Sequence, residues 1–258
     1  MKHRGFVKRQ LRSLVKRSGI PLADASGSYA VQHLPEWMAK TGFDFGRWRD
    51  LWVAPNPRND RADLARLVAF IENAALIEAE GIAGSVAELG VYKGTTAKLL
   101  HELLPGRTLW LFDTFEGFDS RDLPAEADRR QGFRFDDTSL DAVLRHVGPS
   151  DRVRACKGYF PQTASAVPAD ERFALVHLDA DLRKPTADAL AFFYPRMSPG
   201  GFVFVHDYGS RAWPGVAEAV DGFFADKPES IVRLPDKSGT AVVRRAKRYR
   251  AAGDAGSR

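Results

Sequence analysis

Ser85-Val86-Ala87-Glu88-Leu89-Gly90-Val91-Tyr92-Lys93-Gly94 is the stretch on which the fold turns. A short apolar run carries one acid near its end, a glycine turn follows, and the next residues predict a helix over 95–104. That is a buried strand feeding a helix. In an α/β sheet, the turn at the carboxyl end of such a strand is where a nucleotide-bearing molecule settles against backbone.

Outward from this unit the chain alternates. Strands are predicted near 86–89, 108–113, 152–156, 173–179 and 202–206, and helices near 95–104, 139–147, 185–197 and 215–225. Phe173-Ala174-Leu175-Val176 and Phe202-Val203-Phe204-Val205 are almost wholly apolar, as parallel strands covered on both faces must be. Pro199-Gly200-Gly201 reads as a tight turn into the second of them. Thr138 with Asp141 has the spacing of a helix amino-terminal cap, and Pro185 suits a first helical turn. Near the end, 230–234 and 240–244 are short strands around a hairpin-length loop. The expectation is an α/β fold: a mostly parallel, seven-stranded sheet with a C-terminal antiparallel hairpin and helices on both faces.

Ahead of the first strand, Leu64, Leu67, Val68, Ile71, Ala75 and Ala79 predict one apolar helix face. Residues 21–61 are aromatic and irregular, too few for a core of their own, and are expected to cover the main domain at 62–245. Residues 1–20 space Val7, Leu11, Leu14 and Val15 among basic side chains. Two readings stand for this arm: an anionic membrane or nucleic-acid surface, or a solvated arm that packs on a second copy in a homodimer. The tail 246–258 is expected to be disordered.

The formal net charge of +5 belongs to the ends of the chain. Residues 1–20 hold seven Lys/Arg and no acid, and residues 244–258 hold six Lys/Arg and one Asp. Setting both aside leaves 25 basic against 32 acidic side chains, which argues against a basic nucleic-acid groove across the body. A lone cysteine, Cys156, excludes an intramolecular disulfide. No signal-peptide core and no membrane span are legible, so a cytoplasmic protein is expected.

The chemistry of the first turn follows from its spacing. Glu88-x-Gly90-x-x-x-Gly94 lacks the second glycine through which a dinucleotide pyrophosphate approaches, and bulky Tyr92 stands there instead. S-adenosylmethionine has no phosphate. Its cationic amine suits an acid such as Glu88, while Gly90 and Gly94 let the backbone approach; Val91, Tyr92 and Thr95 flank them. Asp113 ends the next strand 23 residues after Gly90, close to the roughly 20-residue offset at which an acid meets ribose hydroxyls. Its alternative is to cap the following turn. Thr114 adjoins it, and Phe115 and Tyr159 are candidates to flank adenine, although a buried aromatic is more often core.

A second constellation is Asp179 and Asp181 after the 173–179 strand, with His206-Asp207-Tyr208 after the next. Carboxyl ends of neighbouring parallel strands open into one crevice, so two carboxylates and an imidazole there can bind a divalent ion or remove a proton. Asp181 has the alternative of capping the helix near Pro185, and His177 is expected to point into the core.

Taken together, several motifs resemble the macrocin-type (TylF/MycF/NovP-like) O-methyltransferases. They are Glu88-Leu89-Gly90-Val91-Tyr92-Lys93-Gly94, Phe112-Asp113-Thr114-Phe115-Glu116-Gly117-Phe118, Gly158-Tyr159-Phe160-Pro161-Gln162-Thr163, Leu178-Asp179-Ala180-Asp181-Leu182, Phe193-Tyr194-Pro195-Arg196-Met197-Ser198-Pro199-Gly200-Gly201 and His206-Asp207-Tyr208. They run in order over about residues 62–245, and several such motifs are more specific than one. The resemblance implies a class I (Rossmann-like) methyltransferase fold and S-adenosyl-L-methionine-dependent methylation of a small-molecule hydroxyl, in the best-known members on a sugar of a natural product. It also implies a magnesium ion on an Asp matching Asp179 and on a pair of adjacent acids after the next strand. Here the first acid of that pair is His206 and only Asp207 is kept. Magnesium prefers oxygen, so a metal more tolerant of imidazole, or His206 as base without a metal, enters. The competing functional classes are an NAD(P)-dependent oxidoreductase and a non-catalytic protein that uses the basic arm.

Overall fold

The computed structural model describes residues 34–54, 63–123 and 134–247. The arm at 1–20, most of the tail, and residues 21–33 and 55–62 of the aromatic segment lie outside these. The chain divides between Val68 and Ala69 into two compact units.

In the first unit, the segment expected to be irregular contains two short helices, α1 (Glu36–Lys40) and α2 (Phe45–Val53). The reason is local: an Asp44 carboxylate oxygen accepts from the Arg47 N–H at 3.1 Å, capping α2, and Trp48 and Trp52 fall four residues apart on its buried side. Helix α3 spans Leu64–Ala79. Its buried stripe continues through Phe70, Ile71, Ala74 and Ile77, whereas Ala75 and Ala79 are exposed, contrary to the predicted face. The bulky side chains, which have more apolar area to remove from water, set the rotation of the helix.

The second unit is built on seven strands: β1 (Ser85–Leu89), β2 (Leu109–Asp113), β3 (Val153–Lys157), β4 (Phe173–Leu178), β5 (Met197–Val205), β6 (Val232–Arg233) and β7 (Ala241–Arg244). Their order is β3-β2-β1-β4-β5-β7-β6. The first five run parallel and β7 pairs antiparallel with both β5 and β6. Helices α4 (Thr95–Leu103), α5 (Leu140–Val147), α6 (Arg183–Phe193) and α7 (Pro214–Phe224) alternate with them. This is the α/β sheet with a closing antiparallel hairpin that the alternation predicts.

One sheet face presents Ala87, Leu89, Trp110, Phe112, Val176, Leu178, Val203 and Val205 to Leu190 and Phe193 of α6 and Val216 and Val220 of α7. On the other face, Phe70 meets the His177 ring edge-on at 5.2 Å and Phe204 at 4.7 Å. Because β2 and β3 extend one way from β1, and β4 and β5 the other, the switch point lies between β1 and β4. Crevices form there.

Two local expectations are corrected. Pro199-Gly200-Gly201 lies inside β5 rather than before it: Phe173 pairs with Met197 but Leu175 pairs with Phe202, so the extra residues form a bulge. Gly200 takes φ +86° there, and its N–H still finds Arg245 O at 2.8 Å across the sheet. The cap of α5 is Ser139, whose hydroxyl accepts from the Ala142 N–H, and not Thr138. Thr138 is engaged elsewhere: its hydroxyl donates to the Tyr92 carbonyl.

Candidate active site at the switch point

Gly90 and Gly94 shape the first turn. Gly90 has φ +83°, and a Cβ added there would stand 2.1 Å from the Asp179 carbonyl oxygen. Only glycine fits so close a backbone crossing. The Asp179 N–H donates to Leu89 O at 2.8 Å, so the end of β1 and the start of the acidic cluster are in direct contact. Gly94, at φ +80°, opens α4, and Thr95 is the first helical residue. Val91 is buried, while the Tyr92 hydroxyl donates to Asp137 Oδ1 and Lys93 Nζ to Asp137 Oδ2, each at 2.6 Å.

Asp113 holds this turn from the next strand. Its Oδ2 accepts from the N–H groups of Val91 (2.6 Å) and Tyr92 (2.9 Å), and its Oδ1 from that of Phe115 (2.6 Å). These bonds bear out the capping reading of Asp113: its carboxylate holds its own turn and the turn after β1 together. Thr114 Oγ1 donates to Gly117 O at 2.5 Å and tightens the same loop. Phe115 is 2% exposed and its ring is core, so the structure does not place it as an open adenine wall.

A cavity of about 580 Å³ opens beside it, lined by Thr114, Gly117, Phe118, Arg121, Lys157 and Tyr159 among others. Tyr159, half-buried, donates its hydroxyl to Asp122 Oδ1 at 2.6 Å and accepts from Lys184 Nζ at 2.7 Å. Arg121 lies 3.6 Å over its ring and is paired with Asp119, whose carboxyl the guanidinium holds down at about 2. Burial pushes the Asp122 carboxyl up. Arg121, Asp122, Asp137 and Lys184 were not singled out by spacing. They sit in loops and a first helical turn, where no periodicity points to a partner.

Glu88 is 2% exposed, and its Oε1 lies 3.0 Å from Nδ1 of His177, its register partner on β4. His177 is wholly buried, as expected. The acid is thus fixed inside the sheet, directly before the glycine turn.

At the ends of β4 and β5, His206 Nδ1 lies 2.7 Å from Asp179 Oδ1 and 3.1 Å from Asp207 Oδ2. One ligand-capable atom from each of the three lies within 4.8 Å of the others. Asp181 joins as a fourth member: burial, then the charges of Asp179 and Asp207, raise its carboxyl well above the usual range, and it hydrogen-bonds Asp207. Burial pushes Asp207 up too, but the bond and charge of His206 outweigh it and the carboxyl is held low. Asp181 does not cap α6, whose amino-terminal cap is Leu182 without a side-chain bond. The donor set is two carboxylates and an imidazole. It suits a borderline divalent ion better than magnesium, which favours oxygen alone.

Among the described residues, the non-glycine residues with positive φ are Tyr92, Phe115, Phe135, Asp181 and Asp207. All lie in segments leaving the carboxyl ends of β1, β2, β4 and β5. Unfavourable backbone conformations collect where a site over-determines them.

The macrocin-O-methyltransferase (TylF) family model matches residues 61–233. The chain belongs to this family. Among its relatives, the mycinamicin III 3''-O-methyltransferase of Micromonospora griseorubida is 34% identical over 157 residues, 55% of this chain and 60% of that protein. The 8-demethyl-8-(2,3-dimethoxy-alpha-L-rhamnosyl)-tetracenomycin-C 4'-O-methyltransferase of Streptomyces olivaceus is 33% identical over 148 residues, 52% of this chain and 56% of that one. The matches thus span less than two thirds of these relatives' length. Among solved structures, the O-methyltransferase NovP superposes with a TM-score of 0.64 at 25% identity, covering 72% of this chain and 81% of NovP. The calicheamicin methyltransferase shares the fold at a TM-score of 0.57 and 20% identity, covering 83% of this chain and 94% of that one. The family's fold is therefore the one read from the alternating strands and helices.

Proposed function

We propose that the protein is an S-adenosyl-L-methionine-dependent O-methyltransferase acting on a hydroxyl of a small molecule, in particular a sugar of a natural product. The observation that carries this reading is the contact between Gly90 and Asp179. It brings the turn after β1 and the acidic cluster to neighbouring strand ends at the switch point, which supports a shared site for donor and acceptor. The names of the family's relatives support the reaction class and the sugar acceptor, and the missing pyrophosphate glycine speaks against the oxidoreductase. Among the described residues no helix is long and apolar enough to cross a membrane. A cytoplasmic location and a homodimer belong to the same proposal.

In this mechanism Thr114 and Tyr159 would hold the donor's adenosine end, and Val91, Tyr92, Thr95 and Glu88 would hold its amino-acid end. Asp113 keeps that turn in shape. The donor would supply an electrophilic sulfonium methyl, and the protein's part would be to align a substrate oxygen with it, from which most of the rate would come. Asp179 and Asp207 hold His206 through Nδ1. A proton on Nδ1 puts the imidazole lone pair on Nε2, the form of His206 that accepts the hydroxyl proton. Asp179, His206 and Asp207 are also the residues that would hold a divalent ion, which lowers the pKa of a bound hydroxyl.

Mixing the protein with methyl-labelled S-adenosylmethionine and a panel of glycosylated macrolides and aromatic polyketides tests the proposal. Label transfer to a sugar hydroxyl is expected. A protein that binds neither S-adenosylmethionine nor S-adenosylhomocysteine in calorimetry would refute it.

A further inference from the structure

We infer that Arg121 is a positioning residue for the methyl donor: a movable guanidinium cap that stacks on the outer face of adenine. This rests on the donor reading above and adds a residue to it. The cavity at the ends of β2 and β3 has Tyr159 as an aromatic wall, and Arg121 lines the same cavity. Arg121 Cζ lies 3.6 Å from the Tyr159 ring centroid, which is direct stacking. A purine between the two needs roughly twice that spacing. Adenine therefore reaches the Tyr159 face only by taking the place the guanidinium now holds.

The surroundings fix the ring and leave the arginine on a short tether. Tyr159 is locked at its hydroxyl by Asp122 and by Lys184, which itself bonds Asp188 at 2.7 Å. Its ring therefore offers a rigid face. Arg121 is half exposed and tied to Asp119 through Nε (2.7 Å) and Nη2 (2.6 Å), both within its own loop. The Asp119–Arg121 pair can move outward as a unit without breaking a bond to the sheet. Displaced by one ring thickness, the flat guanidinium faces the purine from the other side, and Asp119 keeps it oriented. A lysine in its place would supply charge without a face.

The experiment is calorimetric titration of the full-length protein and its variants with S-adenosylhomocysteine and with adenosine alone. Arg121→Ala is expected to weaken both, by less than the roughly 2- to 30-fold of a full cation–π stack because the guanidinium gives up its place on Tyr159 as it gains one on adenine. The acceptor KM should stay unchanged, and the melting temperature of the ligand-free protein should fall only slightly, by the loss of the stack on Tyr159. Arg121→Phe, which restores a flat face without charge, should recover most of the affinity, and Arg121→Lys little of it. Arg121→Ala binding both ligands as tightly as the wild type overturns the inference, as does a change confined to the acceptor KM. Wild-type protein that binds neither ligand overturns the donor reading and this inference with it; an unaffected variant beside a binding wild type overturns this inference alone.

Discussion

Asp113 accepts the backbone N–H groups of both Val91 and Tyr92, so the turn after β1 is held in shape by a side chain from the end of β2. A contact with ribose alone would leave the ligand-free protein indifferent to Asp113. The observed bonds would not.

Asp113→Ala should therefore weaken S-adenosylhomocysteine binding by more than tenfold and also lower the stability of the ligand-free protein by about 1–3 kcal/mol, the cost of orphaning partly buried donors. Chemical denaturation without ligand separates the two roles. Unchanged stability would confine Asp113 to the donor.

Gly90→Ala brings a Cβ to within 2.1 Å of the Asp179 carbonyl at a φ of +83°. The expected loss is about 4 kcal/mol or more, read as insoluble expression or a collapsed melting temperature. Gly222 is the control. It sits exposed in α7 with nothing within 4 Å of an added Cβ, and Gly222→Ala should stabilise by about 0.5–1 kcal/mol.

His206 separates the two routes to hydroxyl activation. His206→Ala should reduce kcat by about 10²- to 10⁴-fold, with S-adenosylhomocysteine affinity little changed. His206→Asp should shift metal binding toward magnesium in equilibrium dialysis if an ion occupies the cluster. Wild-type activity that survives exhaustive chelation would assign the proton to the imidazole alone.

Acid stability should report on Glu229. Burial pushes this carboxyl up, but bonds from Tyr194, the Ala246 N–H and Arg245 outweigh it and hold it below its ordinary 4.5. A depressed folded-state value means that its contribution is present above about pH 4.5 and is lost as the pH falls through the folded value. Tyr194→Phe removes the 2.6 Å bond to Glu229 Oε2. It should cost about 1.5–3 kcal/mol at neutral pH and move the acid-unfolding midpoint upward. An unmoved midpoint would mean that Glu229 does not control acid unfolding.

Strands β4 and β5 were legible because both are covered on both faces and need no alternation to be recognised. Gly90, Asp179, His206 and Asp207 were legible because strand ends in this topology share a crevice. What sequence could not show was side-chain commitment. Thr138 and Ser139 are adjacent and both able to cap; which one does is settled by Tyr92 in another turn. Phe115 and Phe118 are three residues apart, and a local turn with φ +54° at Phe115 decides which ring reaches the cavity. Glu88 found His177 across a register that only the folded sheet defines.

The left-handed turns at the strand ends carry a practical consequence for altering acceptor choice. At Tyr92, Phe115, Asp181 and Asp207, any β-branched replacement meets a conformational penalty before its chemistry is felt. At Tyr92, a library restricted to glycine, asparagine and aspartate would keep the backbone of the turn while changing its polarity, whereas Phe115 is core and Asp181 and Asp207 belong to the acidic cluster and stay fixed. The freedom to vary the cavity then resides in neighbours with ordinary backbone angles, such as Phe118, which lines it and can take other apolar side chains without backbone strain.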